Sequence, residues 1–288
     1  MAAEASPAKS TRRIGAHVPV AGGLVRRGVA EGVKAGAETV QIFVGSPRGW
    51  TPPRVDERVA DDFRAQCSVH GWPVFVHAAY LINLASPDTV TLERSVETLR
   101  TTMTAASLLG AQGVVVHAGS SVDGDRTGAL RRVAKAFRDV LEDAPPVRIL
   151  VEPTAGAANA MASTLASTVE YMQAVGLDEL GLCLDTCHLH AAGEVLADPA
   201  VFEASLRSLA ADLGPGRVDL VHFNDSKAPW GSRRDRHESL GVGTLGEDAL
   251  RSVVSSPALA GIPLIVETAS AADDVAYAKW LDRPGTVE

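Results

Sequence analysis

The sequence is short of cysteine, of long apolar runs and of net positive charge, and each shortage closes off a class of protein. Three cysteines in 288 residues (Cys67, Cys183 and Cys187) cannot build a disulfide framework, so a reducing, cytoplasmic home is expected. Apolar runs stop at strand length, as at 114–116 and 262–266. None nears the ~20 residues that cross a bilayer, so no membrane partner is expected. The opening residues, MAAEASPAKSTR, lack an apolar segment, and residues 1–13 are expected to form a disordered tail rather than a leader. Acidic residues outnumber basic ones, 35 to 27, for a formal charge of −8. Taken alone, that charge disfavours nucleic acid as a partner. Bound divalent cations would cancel much of it, so charge does not decide the partner.

What is present is alternation. Short β-branched segments at 14–17, 39–43, 74–77, 113–117, 148–152, 180–185, 218–224 and 263–267 read as strands. Amphipathic stretches rich in Ala, Leu and Arg lie between them, at 56–70, 88–109, 127–142, 164–175, 198–213, 244–256 and 272–281. Strictly alternating strands and helices imply a parallel sheet. Eight such units in a chain of 288 residues predict a closed α/β barrel, the (β/α)₈ or TIM barrel, as a single domain over 14–288. The longest connection, 225–243, holds Trp230, Arg233, Arg234, Arg236 and the pair Asp235/His237. Long loops in compact domains are usually functional.

Chemistry collects at the strand ends. Strand three ends at His77, strand four at His117, strand five at Glu152 and strand six at Asp185, with His188 three residues on. Strand seven contains His222, strand eight ends at Glu267, and the long loop adds Asp235 and His237. The C-terminal ends of barrel strands converge on one face, where active sites form. One histidine at a strand end is usually an ordinary hydrogen-bonded loop residue. Six strands in succession each delivering a metal-type ligand is another matter. Clustered acids would also repel each other without cations. Five His, two Asp and two Glu suit zinc, manganese or iron, and are too many for one tetrahedral ion. His17, at the end of the first strand, reads equally as an outer partner of a metal ligand or as a hydrogen-bonded residue of the barrel mouth; His70 falls near a helix C-terminus, and His190 has no evident part. Cys183 and Cys187 flank Asp185 without zinc-hook spacing and read as barrel packing.

The motifs that carry these residues are specific. GAHV at 15–18, HAAYLINL at 77–84, VHAGS at 116–120, VEPTAG at 151–156, LDTCHLHAAG at 184–193, HFNDSK at 222–227, DRHESLGVG at 235–243 and VET at 266–268 together resemble the endonuclease IV family, zinc-dependent apurinic/apyrimidinic endonucleases of base-excision repair. The resemblance implies three Zn²⁺ ions, with Mn²⁺ or Fe²⁺ as possible replacements. One ion would take His77 and His117, with Glu152 bridging to a second held also by Asp185, His222 and Glu267. The third would take His188, Asp235 and His237. It also implies hydrolysis of the phosphodiester bond 5′ to an abasic site, leaving 3′-hydroxyl and 5′-deoxyribose phosphate ends, with Glu152 at the catalytic centre. The expected partner is double-stranded DNA carrying abasic sites or 3′-blocked ends. Arg48, Tyr80 and Leu81 stand where the family inserts side chains at the lesion. Lys227, Arg233, Arg234 and Arg236 could add local positive charge. Ala118, Pro153 and Pro19 stand where the family usually has Pro, Asn and Ser. A monomer is expected. The competing reading is a metal-dependent sugar isomerase or epimerase of the xylose isomerase type, which needs one or two ions.

Overall fold

The computed structural model describes residues 12–283. Eight parallel strands close into a barrel. They are β1 (Ile14–His17), β2 (Val40–Phe43), β3 (Val74–His77), β4 (Gly113–His117), β5 (Arg148–Glu152), β6 (Gly181–Asp185), β7 (Val218–His222) and β10 (Leu264–Val266). β10 pairs with β1 and β7 and completes the ring. A small antiparallel ribbon, β8 (Asp225–Ser226) with β9 (His237–Glu238), sits inside the long connection after β7. The expected single-domain (β/α)₈ architecture is the one observed.

The strands are short and apolar on both faces, as buried parallel strands must be. One face meets the helices. The other fills the barrel with Phe75, Val115, Leu150, Cys183, Leu220 and Ile265, which form a separate buried cluster. Each of these six stands two residues before His77, His117, Glu152, Asp185, His222 or Glu267. With a period of two, the same strand face therefore carries an apolar plug and, one layer above it, the polar mouth. This placement makes Cys183 a packing residue, as its alternation with Asp185 predicts.

Helix starts follow from sequence. α2 (Glu57–His70), α3 (Thr89–Leu108), α4 (Arg126–Leu141) and α7 (Pro199–Leu213) each begin after an aspartate, Asp56, Asp88, Asp125 and Asp198, whose side chain accepts first-turn N–H bonds. α5 (Leu165–Val175) begins with a capping box between Thr164 and Ser167. Each such cap contributes on the order of 1 kcal/mol. The first crossover is a π-helical turn (Leu24–Val29) running into the short helix α1 (Ala30–Lys34). α8 (Glu247–Ser255) begins three residues later than the 244–256 reading, because Thr244 and Leu245 still bond back to Ser226 and Asp225. β7 stops at His222, short of the expected 224. Asn224 there turns its backbone to Thr186 instead of to a strand. α9 (Ala271–Leu281) closes the chain's last unit.

The expected tail over residues 1–13 falls mostly outside the described residues. Its last part does not behave as a tail. Arg12 is buried and donates to the carbonyls of Val254 and Leu259 at 2.8 and 2.9 Å. Its guanidinium also meets Asp282 at 3.5 Å, which joins the approach to β1 to the end of α9. No helix among the described residues is long and apolar enough to cross a membrane.

Candidate metal centre

Parallel pairing brings the strand-end residues into register: His117 stands opposite Glu152, and Asp185 opposite His222. Asp185 also begins the helix α6 (Thr186–Ala192), where its Oδ1 accepts the backbone N–H of His188 at 2.8 Å. That cap delivers the His188 imidazole to the same basin. β9 brings in His237, and the loop before it brings Asp235. The mouth is a cavity of about 420 Å³ lined by His77, Tyr80, His117, Glu152, His188, Asp235, His237 and Glu267. Asp185 and His222 lie fully buried at its floor.

Glu152 is the centre of the arrangement. Its Oε2 lies 3.2 Å from His77 Nε2 and 3.3 Å from His117 Nε2. Its Oε1 lies 3.1 Å from His222 Nδ1 and 3.2 Å from His188 Nδ1. Glu267 Oε2 lies 3.2 Å from His222 Nδ1. His237 Nε2 lies 3.4 Å from Asp185 Oδ2 and 3.2 Å from Asp235 Oδ1, and His188 Nε2 is 3.3 Å from Asp235 Oδ2. The nine side chains singled out from sequence thus meet in one place.

Several features of this chain fit divalent ions. An ion about 2.1 Å from each of its ligands, held tetrahedrally, separates those ligand atoms by roughly 3.4 Å. The separations observed cluster near that value and exceed the usual ~2.9 Å of a nitrogen–oxygen hydrogen bond. His237 Nε2 is buried and makes no well-aligned hydrogen bond, although two carboxylates stand beside it. A buried polar nitrogen without such a bond needs an explanation, and a cation supplies one. The outer nitrogens are already occupied by neutral acceptors: His77 Nδ1 by the Ala78 carbonyl at 2.7 Å, His188 Nδ1 by the Pro153 carbonyl at 3.0 Å, and His222 Nε2 by Gln41 Oε1 at 2.9 Å. Outer partners of this kind orient imidazoles that ligate metals. Groups whose ligand atoms lie within 4.8 Å of one another include His77/His117/Glu152, Glu152/Asp185/His222, His77/His222/Glu267 and Asp185/His188/His237. Asp235 and His237 also group with Cys187, which is fully buried.

Without ions the basin balances its charge with protons. Burial opposes ionisation of Glu152, but His222 and His117 outweigh it and hold the carboxyl well below its usual range. Burial likewise opposes charge on His188 and His222, yet their neighbours, Asp185 for the first and Cys183 with Glu267 for the second, keep both well above the usual imidazole range. His237 is raised to about 9, because Asp185 and Asp235 overcome its desolvation. Asp235 is lowered, against burial, by His188 and His237.

The rim holds the remaining expected residues. Tyr80 and Leu81 are exposed, and the Tyr80 ring stacks on His117 with centroids 5.7 Å apart. Arg48 is exposed in the loop whose Pro47 carbonyl accepts the Tyr80 N–H at 2.9 Å, so the two loops are tied together. Arg233, Arg234 and Arg236 are exposed. Lys227 is less available as positive charge than expected, since Glu238 stands 3.6 Å away. His70 stacks on Trp72 at the end of α2, away from the basin. His190 is buried and bonds Thr244 Oγ1 at 3.2 Å, which anchors the far end of the long loop.

Five neighbours of the basin escape sequence reasoning. Asn224 donates to Asp185 Oδ2 and Glu267 Oε2 at 2.8 and 3.3 Å. Buried Asp225 accepts N–H bonds from Ser226, Gly241, Gly243 and Leu245 at 2.7 to 3.1 Å, and so fixes both ends of the loop that carries Asp235 and His237. Gly243 is required there: a Cβ on it would fall 2.3 Å from Asp225 Oδ1. Thr244 bonds back to Ser226 and Ala228. Gln41 sits among His17, His222 and Glu267. The one signal available was a polar residue in an otherwise apolar strand, as in VQIF.

Fold and mouth together define the class: a (β/α)₈ barrel enzyme with metal-type ligand groups at the C-terminal ends of its strands. Residues 29–283 match the family described as xylose isomerase-like TIM barrel. The chain is 42% identical over 92% of its length to the probable endonuclease 4 of Streptomyces avermitilis, of which it covers 87%. It is 32% identical over 96% of its length to the apurinic-apyrimidinic endonuclease 1 of Saccharomyces cerevisiae, covering 77% of that protein. The crystal structure of endonuclease IV from Thermus thermophilus superposes with a TM-score of 0.80 at 33% identity, over 94% of this chain and 97% of that one. The chain belongs to the endonuclease IV family.

Proposed function

We propose that this protein is a DNA-repair endonuclease that hydrolyses the phosphodiester bond 5′ to abasic sites in double-stranded DNA, leaving 3′-hydroxyl and 5′-deoxyribose phosphate ends. The observation that carries the reading is the split of Glu152, whose two oxygens face different sets of imidazoles across one cavity. A carboxylate so placed suits a bridge between two ions. His77 and His117 would hold one ion, and Asp185, His222 and Glu267 a second. His188, Asp235 and His237 would hold a third. The mixture of nitrogen and oxygen donors favours zinc, with manganese or iron as substitutes. Divalent ions held there would lower the pKa of a water towards ~7 and neutralise phosphate oxygens.

The chain's own residues bind and select. Tyr80, Leu81 and Arg48, all exposed, would enter the duplex where a base is missing. Extruding the sugar-phosphate costs least at such a site, which gives selectivity without base readout. Arg233, Arg234 and Arg236 supply positive charge at the mouth of an otherwise acidic chain. Duplexes whose 3′ ends are blocked by a group attached through a phosphodiester offer the same chemistry and belong to the same substrate class. A monomer is sufficient, since every ligand comes from one chain. Three buried free cysteines suit a reducing compartment such as the cytoplasm.

A sugar isomerase on this fold would leave the group of His188, Asp235 and His237 without a task. The deciding experiment is a nicking assay on an abasic-site duplex with zinc restored. Incision 5′ to the lesion is expected. Intact abasic duplex together with turnover of a ketose would replace this reading with the isomerase.

A further inference from the structure

Beside the apolar plug of Phe75, Val115, Leu150, Cys183, Leu220 and Ile265 stands a polar side chain. Gln41 on β2 is the register partner of Phe75 and is fully buried. A buried amide costs free energy unless every polar atom finds a partner. Here all of them do, and the partners dictate how the amide faces. A carboxylate only accepts hydrogen bonds, so the Gln41 nitrogen faces Glu267 Oε1, at 2.7 Å. Its second hydrogen points to His17 Nδ1, at 3.0 Å. The amide oxygen is thereby left to His222 Nε2, at 2.9 Å. An oxygen in that position requires an N–H on Nε2. The lone pair of a neutral His222 therefore sits on Nδ1, the nitrogen that faces Glu152 at 3.1 Å and Glu267 at 3.2 Å.

We propose that Gln41 is a positioning residue for the metal centre: it fixes His222 as a ligand through Nδ1 and aims Glu267 at the same ion, with His17 completing its hydrogen bonds. The inference rests on the metal-centre reading above. It goes beyond that reading because it assigns Gln41 and His17, which hold no ion, and chooses which nitrogen of His222 does. A purely space-filling role would need neither the amide's orientation nor its full set of partners. Outer partners of metal ligands are typically worth 10–100-fold in metal affinity.

The test compares wild type with Gln41→Met, which keeps the volume and loses the amide. Zinc affinity is read by competition with a chromophoric chelator, and the melting temperature of the metal-free proteins checks folding. In Gln41→Met, zinc binding at the ion that takes His222 and Glu267 should weaken about 10–100-fold, with the other ions held as in wild type. Should the variant fail to fold, ¹⁵N-histidine NMR of zinc-loaded wild type decides the matter. The expected result is ligation through His222 Nδ1 with a slowly exchanging Nε2 proton. Zinc held equally tightly by Gln41→Met, or ligation through His222 Nε2, would overturn the assignment. A wild-type protein that takes up no divalent ion would overturn the metal-centre reading and this inference with it.

Discussion

Loading the metal-free protein with zinc should release protons, and the basin indicates how many. An imidazole must be neutral to ligate a metal. At pH 7 His237, raised to about 9, carries a proton, and so do His188 and His222, both held well above their usual range by their neighbours in the basin. About three protons per chain should therefore leave as the ions enter. For His237 alone, two pH units separate neutrality from its pKa of about 9. Expelling that proton at pH 7 costs about 3 kcal/mol, so this proton alone should raise the apparent affinity of its ion about 50-fold between pH 7 and 9. The sign reverses for stability without metal. A histidine with a raised folded-state pKa stabilises the fold fully below about 6.5, and that contribution fades as pH climbs through about 9. The metal-free protein should thus weaken over the range in which zinc binds better. Calorimetric titration of zinc at pH 7 in two buffers of different ionisation enthalpy reads the proton count directly. No proton release, together with an affinity flat from pH 6.5 to 9, would refute the reasoning.

Further outcomes follow from the same geometry. Asp225→Ala would strand the backbone N–H groups that its carboxylate satisfies. It should cost about 3 kcal/mol or more by urea denaturation, and the ion at Asp235 and His237 should be lost first; unchanged stability would show the loop to be held some other way. Asp198→Ala removes the cap of α7, far from the basin. A loss of about 1 kcal/mol with unaltered zinc content is expected, whereas lost zinc would mean that the basin depends on the outer helices. Tyr80→Ala should leave zinc content intact and reduce the preference for abasic over intact duplex about 10-fold or more, read by competition binding. An unchanged preference would remove Tyr80 from lesion recognition. Raising salt from 50 to 200 mM should weaken duplex binding steeply, since phosphate contacts displace counterions. A flat response would argue against a DNA groove at this mouth.

The strands and the cluster of metal-type side chains were legible because both obey local rules. Apolar runs of strand length recur once per βα unit, and a barrel sends every strand end to the same mouth. The residue two places before each of His77, His117, Glu152, Asp185, His222 and Glu267 is apolar, which is the period of two made visible in sequence. What escaped was the non-local bonding around the ligands. Nothing in VQIF announces that Gln41 faces inward to Glu267, and nothing in HFNDS says that Asn224 and Asp225 leave the strand. Thr186 and the Gly241–Leu245 turn claim their backbone and side chains, and neither is a sequence neighbour. The end of the tail was misjudged for a similar reason: Arg12 looks like a surface residue until Val254 and Leu259, more than two hundred residues on, offer their carbonyls.

The most direct test of the account is elemental analysis of the purified, zinc-loaded protein after exhaustive dialysis, run beside His188→Ala. Three ligand groups sharing one basin should retain about three divalent ions per chain, and the variant about one fewer. One ion or none in the wild type, or an equal count in the two proteins, would contradict it.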